Sequence, residues 1–191
     1  MALSLPRGFT LIEMLVALSV MGMVLGITAV AVYGSRQNTE LIIATEQVAD
    51  LLYRIRVDSL AGKKFNGAYP AGGYGVALPC GAASSTMCIF ADTNNNTQYD
   101  EAELVRQVVL ADMESVSDRV FIDALEYINT QGQTASLQQM TIVFQAPHVR
   151  TSLLPAPSVY PARDLVITLA HSQLQRTQMI TINATTGLLT F

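Results

Sequence analysis

One carboxylate stands alone in the most apolar part of this 191-residue chain. The twenty-five residues from Phe9 to Tyr33 contain a single charged side chain, that of Glu13. At mid-membrane a lone carboxylate costs about 2.5–3.5 kcal/mol on insertion scales, so it is retained with a function and a partner. No Lys or Arg lies one helical turn away. The partner must come from the start of the chain or from another molecule; the alternative is a Glu near the interface that reaches water.

A second group of side chains has the spacing of a calcium-binding loop. Oxygen-bearing residues occupy positions 1, 3, 5, 7, 9 and 12 of a twelve-residue segment: Asp92, Asn94, Asn96, Gln98, Asp100 and Glu103. In an EF-hand loop, side-chain oxygens at positions 1, 3, 5 and 12 and a backbone carbonyl at position 7 surround the ion. The spacing therefore predicts a structural calcium ion, although the protein requires no cofactor for chemistry.

Two features depart from that loop. Thr97 stands at position 6, where Gly makes the sharp turn, and the flanking segments have strand patterns rather than helical ones. The alternative is an Asn-rich turn that bonds its own backbone.

The two cysteines, Cys80 and Cys88, have seven residues between them and follow the apolar segment. An even, closely spaced pair in that position favours a disulfide in an oxidising compartment. The alternative is a pair of buried free thiols. The bridge is favoured because nothing else in the sequence suits these cysteines as metal ligands.

Catalytic motifs are missing from the sequence. There is no Gly-x-Ser-x-Gly, phosphate loop or zinc spacing, and His148 and His171 have no patterned partner. A net charge of -4 and a pI near 5.0 argue against broad binding to nucleic acid. The sequence therefore predicts a protein that is not an enzyme and disfavours DNA as a partner.

The apolar segment itself predicts a helix that spans a membrane. As a helix it is about 37 Å long, against about 30 Å for a hydrocarbon core. Arg7 precedes it and keeps that end in the cytoplasm. A cleaved secretory signal, imitated by Ala29-Val30-Ala31, has a shorter apolar region. An ordinary signal anchor explains the length but not Glu13.

Gly22 and Gly26, four residues apart, permit close helix packing in lipid; the alternative is that Gly is common in membrane helices.

Beyond Gly34 the pattern becomes amphipathic, which predicts that the helix continues to about Ala61 and stops at Gly62. The rest favours antiparallel strands, with the segment from Pro147 to Pro161 as a loop. The predicted strands are Tyr74–Leu78, Met87–Ala91, Leu104–Leu110, Val120–Tyr127, Met140–Gln145, Leu165–Ala170, Gln178–Asn183 and Leu188–Phe191.

The run from Arg7 to Val16, Arg-Gly-Phe-Thr-Leu-Ile-Glu-Met-Leu-Val, resembles the processing and assembly motif of type IV pilins and type II secretion pseudopilins. The resemblance implies cleavage after Gly8 by a prepilin peptidase and N-methylation of Phe9. It also implies that Glu13 meets the Phe9 amine of a neighbouring subunit. The implied fold is α+β and pilin-like: a long N-terminal helix, its first half transmembrane, packed on antiparallel sheets.

The resemblance also implies a division of the chain into a leader (1–8), a membrane and filament-core helix (9–33), an amphipathic second half (34–62) and a β-rich domain (63–191). The implied location is the inner membrane, crossed once with the domain outside the cytoplasm, and then a filament of pilin subunits joined through the N-terminal helix.

Looser motifs favour a subclass. Gly73-Tyr74-Gly75-Val76, the run Ile89 to Asn96 and the ending Ile180 to Gly187 are similar to H-type minor pseudopilins and T/U-type minor pilins. Some T-type pilins bind DNA through a basic C-terminal tail, but this chain has no arginine after Arg176. A DNA-binding tip module and a plain membrane-anchored envelope domain are the alternative functions.

Overall fold

The computed structural model describes residues 10–80, 85–145, 148–154 and 161–191. They form two compact units that divide between Asn38 and Thr39. Helix α1 (Leu11–Leu60) is continuous over fifty residues. It ends one residue before the predicted position, and Gly62 follows with φ of 62°, the left-handed conformation typical of a helix C-terminus.

In the first unit, α1 presents an apolar and exposed surface. Every residue from Leu11 to Tyr33 is exposed. The helix is long and apolar enough to cross a membrane by length and composition. An exposed apolar surface of this size is typical of a segment that is covered by lipid or by partner helices rather than by water.

The second unit contains two five-stranded antiparallel sheets. Sheet 1 has the order β3-β2-β1-β6-β7, and sheet 2 has the order β10-β9-β8-β4-β5. The strands are β1 (Gly73–Leu78), β2 (Thr86–Asp92), β3 (Leu104–Val109), β4 (Val120–Asn129), β5 (Thr134–Leu137), β6 (Gln139–Gln145), β7 (His148–Leu154), β8 (Ala162–His171), β9 (Thr177–Asn183) and β10 (Leu189–Thr190).

One hydrophobic core joins the second half of α1 to both sheets. The helix contributes residues at three- and four-residue steps, and the central strands contribute every second residue, as their periods require. Fully buried members include Leu41, Leu52, Val76, Ile142, Leu165 and Ile180. Two polar contacts hold the helix to the rest of the domain. Ser59 donates its hydroxyl hydrogen to the carbonyl of Phe144 in β6, and Gln47 Nε2 donates to the carbonyl of Glu114, between β3 and β4, at 2.7 Å. The predicted α+β arrangement is confirmed.

The loop predicted between Pro147 and Pro161 is wrong in its first half. Strand β7 occupies His148–Leu154 and pairs with β6 over seven residue pairs. Val149, Thr151 and Leu153 alternate with polar residues, and this short period was hidden by the prolines. Strand β5 was not predicted either. Residues 155–160 lie outside the described part of the chain.

Candidate functional site

The first candidate site is the N-terminal turn of α1. Gly8 and Phe9, the predicted processing residues, lie outside the described residues. Glu13 is exposed in the first turn, and its Oε2 accepts hydrogen bonds from the backbone N–H of Thr10 at 2.9 Å and from Thr10 Oγ1 at 2.7 Å. In return Thr10 Oγ1 faces the N–H of Glu13 at 3.3 Å. This reciprocal arrangement is a capping box.

Thr10 is a residue that the sequence analysis overlooked. The expected partner of Glu13 was a charged group, from the start of the chain or from another molecule, whereas the pattern Thr-x-x-Glu at a helix start already predicts a capping box. The bonds satisfy helix N–H groups that have no partner within the helix. Glu13 itself lies near the N-terminal end of the apolar segment.

Gly22 and Gly26 lie farther along the same helix. Both are exposed, and a Cβ built on either meets no other atom of the described chain within 4 Å. They therefore form a shallow depression in the helix surface, which suits close approach of a second helix. Their role in packing stays a prediction.

The predicted disulfide is present. Cys80 follows β1, Cys88 lies in β2, and their Cα atoms are 5.5 Å apart. The backbone N–H of Cys80 also donates to the carbonyl of Thr86 at 2.9 Å. Both half-cystines are buried, so the bridge closes the β1–β2 hairpin from inside the domain.

The predicted cation loop connects β2 to β3. Its first residue, Asp92, is fully buried, and its last, Glu103, is 3% exposed. Asp92 accepts the backbone N–H groups of Asn96 at 3.1 Å and Thr97 at 3.0 Å. Glu103 Oε1 accepts the N–H of Thr93 at 2.8 Å. Both carboxylates are therefore directed at the inside of the loop.

Two side chains in the middle of the loop are hydrogen-bonded to Asp100. The side-chain amides of Asn94 and Asn96 donate to Asp100 Oδ2 at 2.8 and 3.2 Å. Their oxygens accept backbone N–H groups two residues ahead, at 3.0 Å for Asn94 and 2.7 Å for Asn96. The self-bonded Asn turn, the alternative to the calcium loop, thus describes these contacts as well. Gln98 contributes its backbone N–H to this network, and its side chain is exposed.

The backbone of the loop resolves one of the two departures from an EF-hand pattern. Asn95 and Thr97 have φ values of 59° and 63°. Thr97 therefore adopts the left-handed conformation that position 6 requires, although a β-branched residue does so at a cost. The flanking segments are strands, as the sequence predicted.

Tyr99 anchors the loop to the outer face of sheet 1. Its ring meets that of Phe90 edge to face, with centroids 5.8 Å apart. Burial, and secondarily the charge of Glu101, raises the pKa of Tyr99 above its ordinary value. Phe90 packs with Ala77 and Val143 in a small second cluster that the ring of Tyr99 covers.

Comparison with known proteins supports the N-terminal site. Residues 4–29 match the family model described as a prokaryotic N-terminal methylation motif. The matched range includes Gly8, Phe9, Thr10 and Glu13, and supports a type IV pilin-like family. The motif is that of structural subunits, and the match does not reach the β-rich domain. No curated protein and no solved structure matches the chain.

Proposed function

We propose that this protein is a minor pilin or pseudopilin, a structural subunit built into a type IV pilus or a type II secretion pseudopilus. A prepilin peptidase cleaves after Gly8, and the new N-terminal Phe9 is methylated. The first part of α1 holds the subunit in the inner membrane and then joins other subunits in the filament core. The β-rich domain remains outside the cytoplasm.

The observation that carries this proposal is the coincidence of the methylation motif at residues 4–29 with an apolar helix whose residues from Leu11 to Tyr33 are all exposed. An ordinary anchor also has an apolar helix, and a capping box accounts for a carboxylate in its first turn, but the methylation motif has no role in such an anchor. In a filament, the methylated amine of a neighbouring subunit supplies the opposite charge. Pairing in apolar surroundings offsets part of the desolvation penalty of both groups.

The capping box allows the charge of Glu13 to be tested apart from its hydrogen bonds. Glu13→Gln removes the charge but retains a side chain that serves in a capping box. Thr10→Ala removes the hydroxyl partner and leaves the carboxylate. Each variant is expressed in the native host, and its amount in purified filaments is compared with its amount in the membrane fraction.

We expect Glu13→Gln to insert into the membrane and to be absent from filaments, while Thr10→Ala assembles. Glu46→Ala, which alters an exposed Glu farther along α1, is the matched control and should assemble normally. The reverse result, with Glu13→Gln assembling and Thr10→Ala failing, reduces Glu13 to a capping residue and overturns the proposal.

Mass spectrometry of the mature N-terminus separates the remaining alternatives. Methylated Phe9 supports the pilin. An intact Met1 supports a plain anchor, and a start after Ala31 supports a secreted protein.

A further inference from the structure

Three carboxylates at the predicted ligand positions of the loop, those of Asp92, Asp100 and Glu103, have no cationic partner in the described part of the chain. None of its ion pairs involves Asp92, Asp100 or Glu103. The guanidinium of Arg150 approaches the loop but donates to Asn95 Oδ1 at 2.7 Å, an amide oxygen. Buried charges in proteins are as a rule paired or bound to metal, so the negative charge of this loop is uncompensated.

One atom is left without any partner. Glu103 Oε2 is buried and accepts no hydrogen bond from the described residues. The other oxygen of the same carboxylate is fully occupied by Thr93 N, Thr93 Oγ1 and Asn94 N, at 2.8, 2.5 and 3.2 Å. The carboxylate is thus held against the inner side of the loop with one oxygen free. An unsatisfied buried carboxylate oxygen is costly, and a metal ion satisfies it.

We infer that the loop from Asp92 to Glu103 binds a divalent cation, and that this cation is calcium. Carboxylates alone do not form the site, since no three Asp, Glu, His or Cys side chains in the described residues are placed to hold a metal. The amides of Asn94 and Asn96 therefore have to supply oxygens. Both already lie against Asp100 Oδ2 through their nitrogens.

A half-turn of each amide exchanges its nitrogen for its oxygen in nearly the same place. The half-turn breaks the two hydrogen bonds to Asp100 and also the two that the amide oxygens accept from the N–H groups of Asn96 and Gln98, and coordination of the ion replaces them. The proposed ligands are hard oxygens of the loop carboxylates and the two amides, with the backbone carbonyl of Gln98 at loop position 7. Since no three carboxylates are placed to hold a metal in the described residues, ion binding has to draw them closer together. Calcium accepts such a large and irregular set, whereas magnesium demands a near-ideal octahedron. The ion would fix the β2–β3 connection.

Terbium luminescence provides a test that also locates the site, because Tb³⁺ replaces Ca²⁺ in oxygen sites and is excited through a nearby tyrosine. The full chain, purified in detergent micelles and treated with EDTA, is titrated with TbCl₃ and then with CaCl₂. We expect emission that saturates at one ion per chain and is displaced by calcium, with a calcium Kd of about 10⁻⁴–10⁻³ M. Tyr99→Phe should remove most of the emission and leave calorimetric calcium uptake unchanged.

Asp100→Asn is the main variant because Asp100 is exposed and its loss does not threaten folding. It should weaken calcium binding about tenfold or more. Asp123→Asn, the same change at an exposed residue of β4, is the matched control and should bind normally. At ten times Kd, calcium should raise the Tm of the unaltered protein by roughly 3–6 °C.

Three outcomes overturn the inference. The first is the absence of calorimetric uptake at millimolar calcium. The second is an equal loss of affinity in the Asp100 and Asp123 variants. The third is terbium emission that survives Tyr99→Phe, which places the ion elsewhere. None of these outcomes bears on filament assembly, so the failure of this inference and of the proposed function are distinguishable.

Discussion

The imidazole Nε2 of His171 lies 3.4 Å from the carboxylate Oε2 of Glu40. The imidazole is buried, and its Nδ1 accepts the backbone N–H of Gln173 at 3.1 Å. A neutral ring bonded in this way carries its proton on Nε2, where it faces the carboxylate. Since Ser117 Oγ also donates to Glu40 Oε2 at 3.0 Å, one carboxylate connects α1 to the end of β8 and to the segment before β4.

Removing that carboxylate should destabilise the domain. Glu40→Ala removes the acceptor of Ser117 Oγ and the carboxylate that faces the buried Nε2 of His171, an atom that makes no hydrogen bond with the described residues. We expect a loss of about 1–3 kcal/mol in the free energy of unfolding. Denaturant unfolding of the detergent-solubilised chain measures it. Glu46→Ala makes the same change at an exposed site of the same helix and should stay within about 0.5 kcal/mol. Equal effects of the two variants would show that the contact with His171 contributes nothing.

Gly72 controls the position of the first loop carboxylate. A Cβ on Gly72 would lie 2.1 Å from Asp92 Oδ2 and 2.8 Å from Asp92 Cβ. Gly72→Ala should therefore displace the buried Asp92 side chain, reduce stability by about 1–3 kcal/mol and weaken calcium uptake. Calorimetry and denaturant unfolding check both effects.

The control for Gly72 is its neighbour. Ala71→Ser also adds one heavy atom but at an exposed position, and should leave stability and ion binding unchanged. Calcium uptake by Gly72→Ala equal to that of the unaltered chain would mean that Asp92 is not a ligand.

Tyr74 makes the domain sensitive to alkaline pH. Burial, the largest effect, raises the pKa of Tyr74 above the ordinary 10.0, with a smaller upward contribution from the charge of Asp58 and an opposing one from Lys63. The folded state thus favours the neutral phenol. Its contribution to stability is fully present below pH 10 and is lost as the pH rises from the unfolded pKa through the raised folded one.

The variant Tyr74→Phe should therefore show a smaller fall in unfolding free energy between about pH 9 and pH 11 than the unaltered protein. Urea unfolding at each pH measures this fall. Tyr53→Phe alters a tyrosine that is 56% exposed on α1 and should reproduce the unaltered profile. A fall in Tyr74→Phe as steep as in the control assigns the alkaline sensitivity to other groups.

Local sequence patterns were sufficient to predict a helix or strand whose ends are set by residues within or next to it. The end of α1 at Leu60 follows from Gly62, and eight strands follow from runs of apolar and β-branched residues between turns. Pairing between distant segments was not readable in the same way. Strand β4 buries Val120 and Ile122, but then Leu125 and Tyr127, because a bulge after Ile122 reverses the alternation.

The candidate sites divide along the same line. The motif around Glu13, the disulfide and the loop spacing are each contained in a short segment and were predicted. The burial of Glu103 was not, because it depends on how the β2–β3 connection folds back between its strands. The pairing of Glu40 with His171 has no local signal, since the two residues belong to opposite ends of the domain's sequence.

The hydrogen bonds between Thr10 and Glu13 affect the energetics of the proposed assembly into a filament. The carboxylate of Glu13 already accepts two hydrogen bonds from Thr10 of its own chain. Pairing with the amine of a neighbouring subunit then replaces the hydrogen bonds to Thr10. The free energy gained is only the difference between the new contact and those hydrogen bonds. A neutral donor gains little in such an exchange, while a cationic amine gains more. Under the proposed function, the first turn of the helix therefore favours a processed neighbour, with its cationic amine, over a neutral polar group in the membrane.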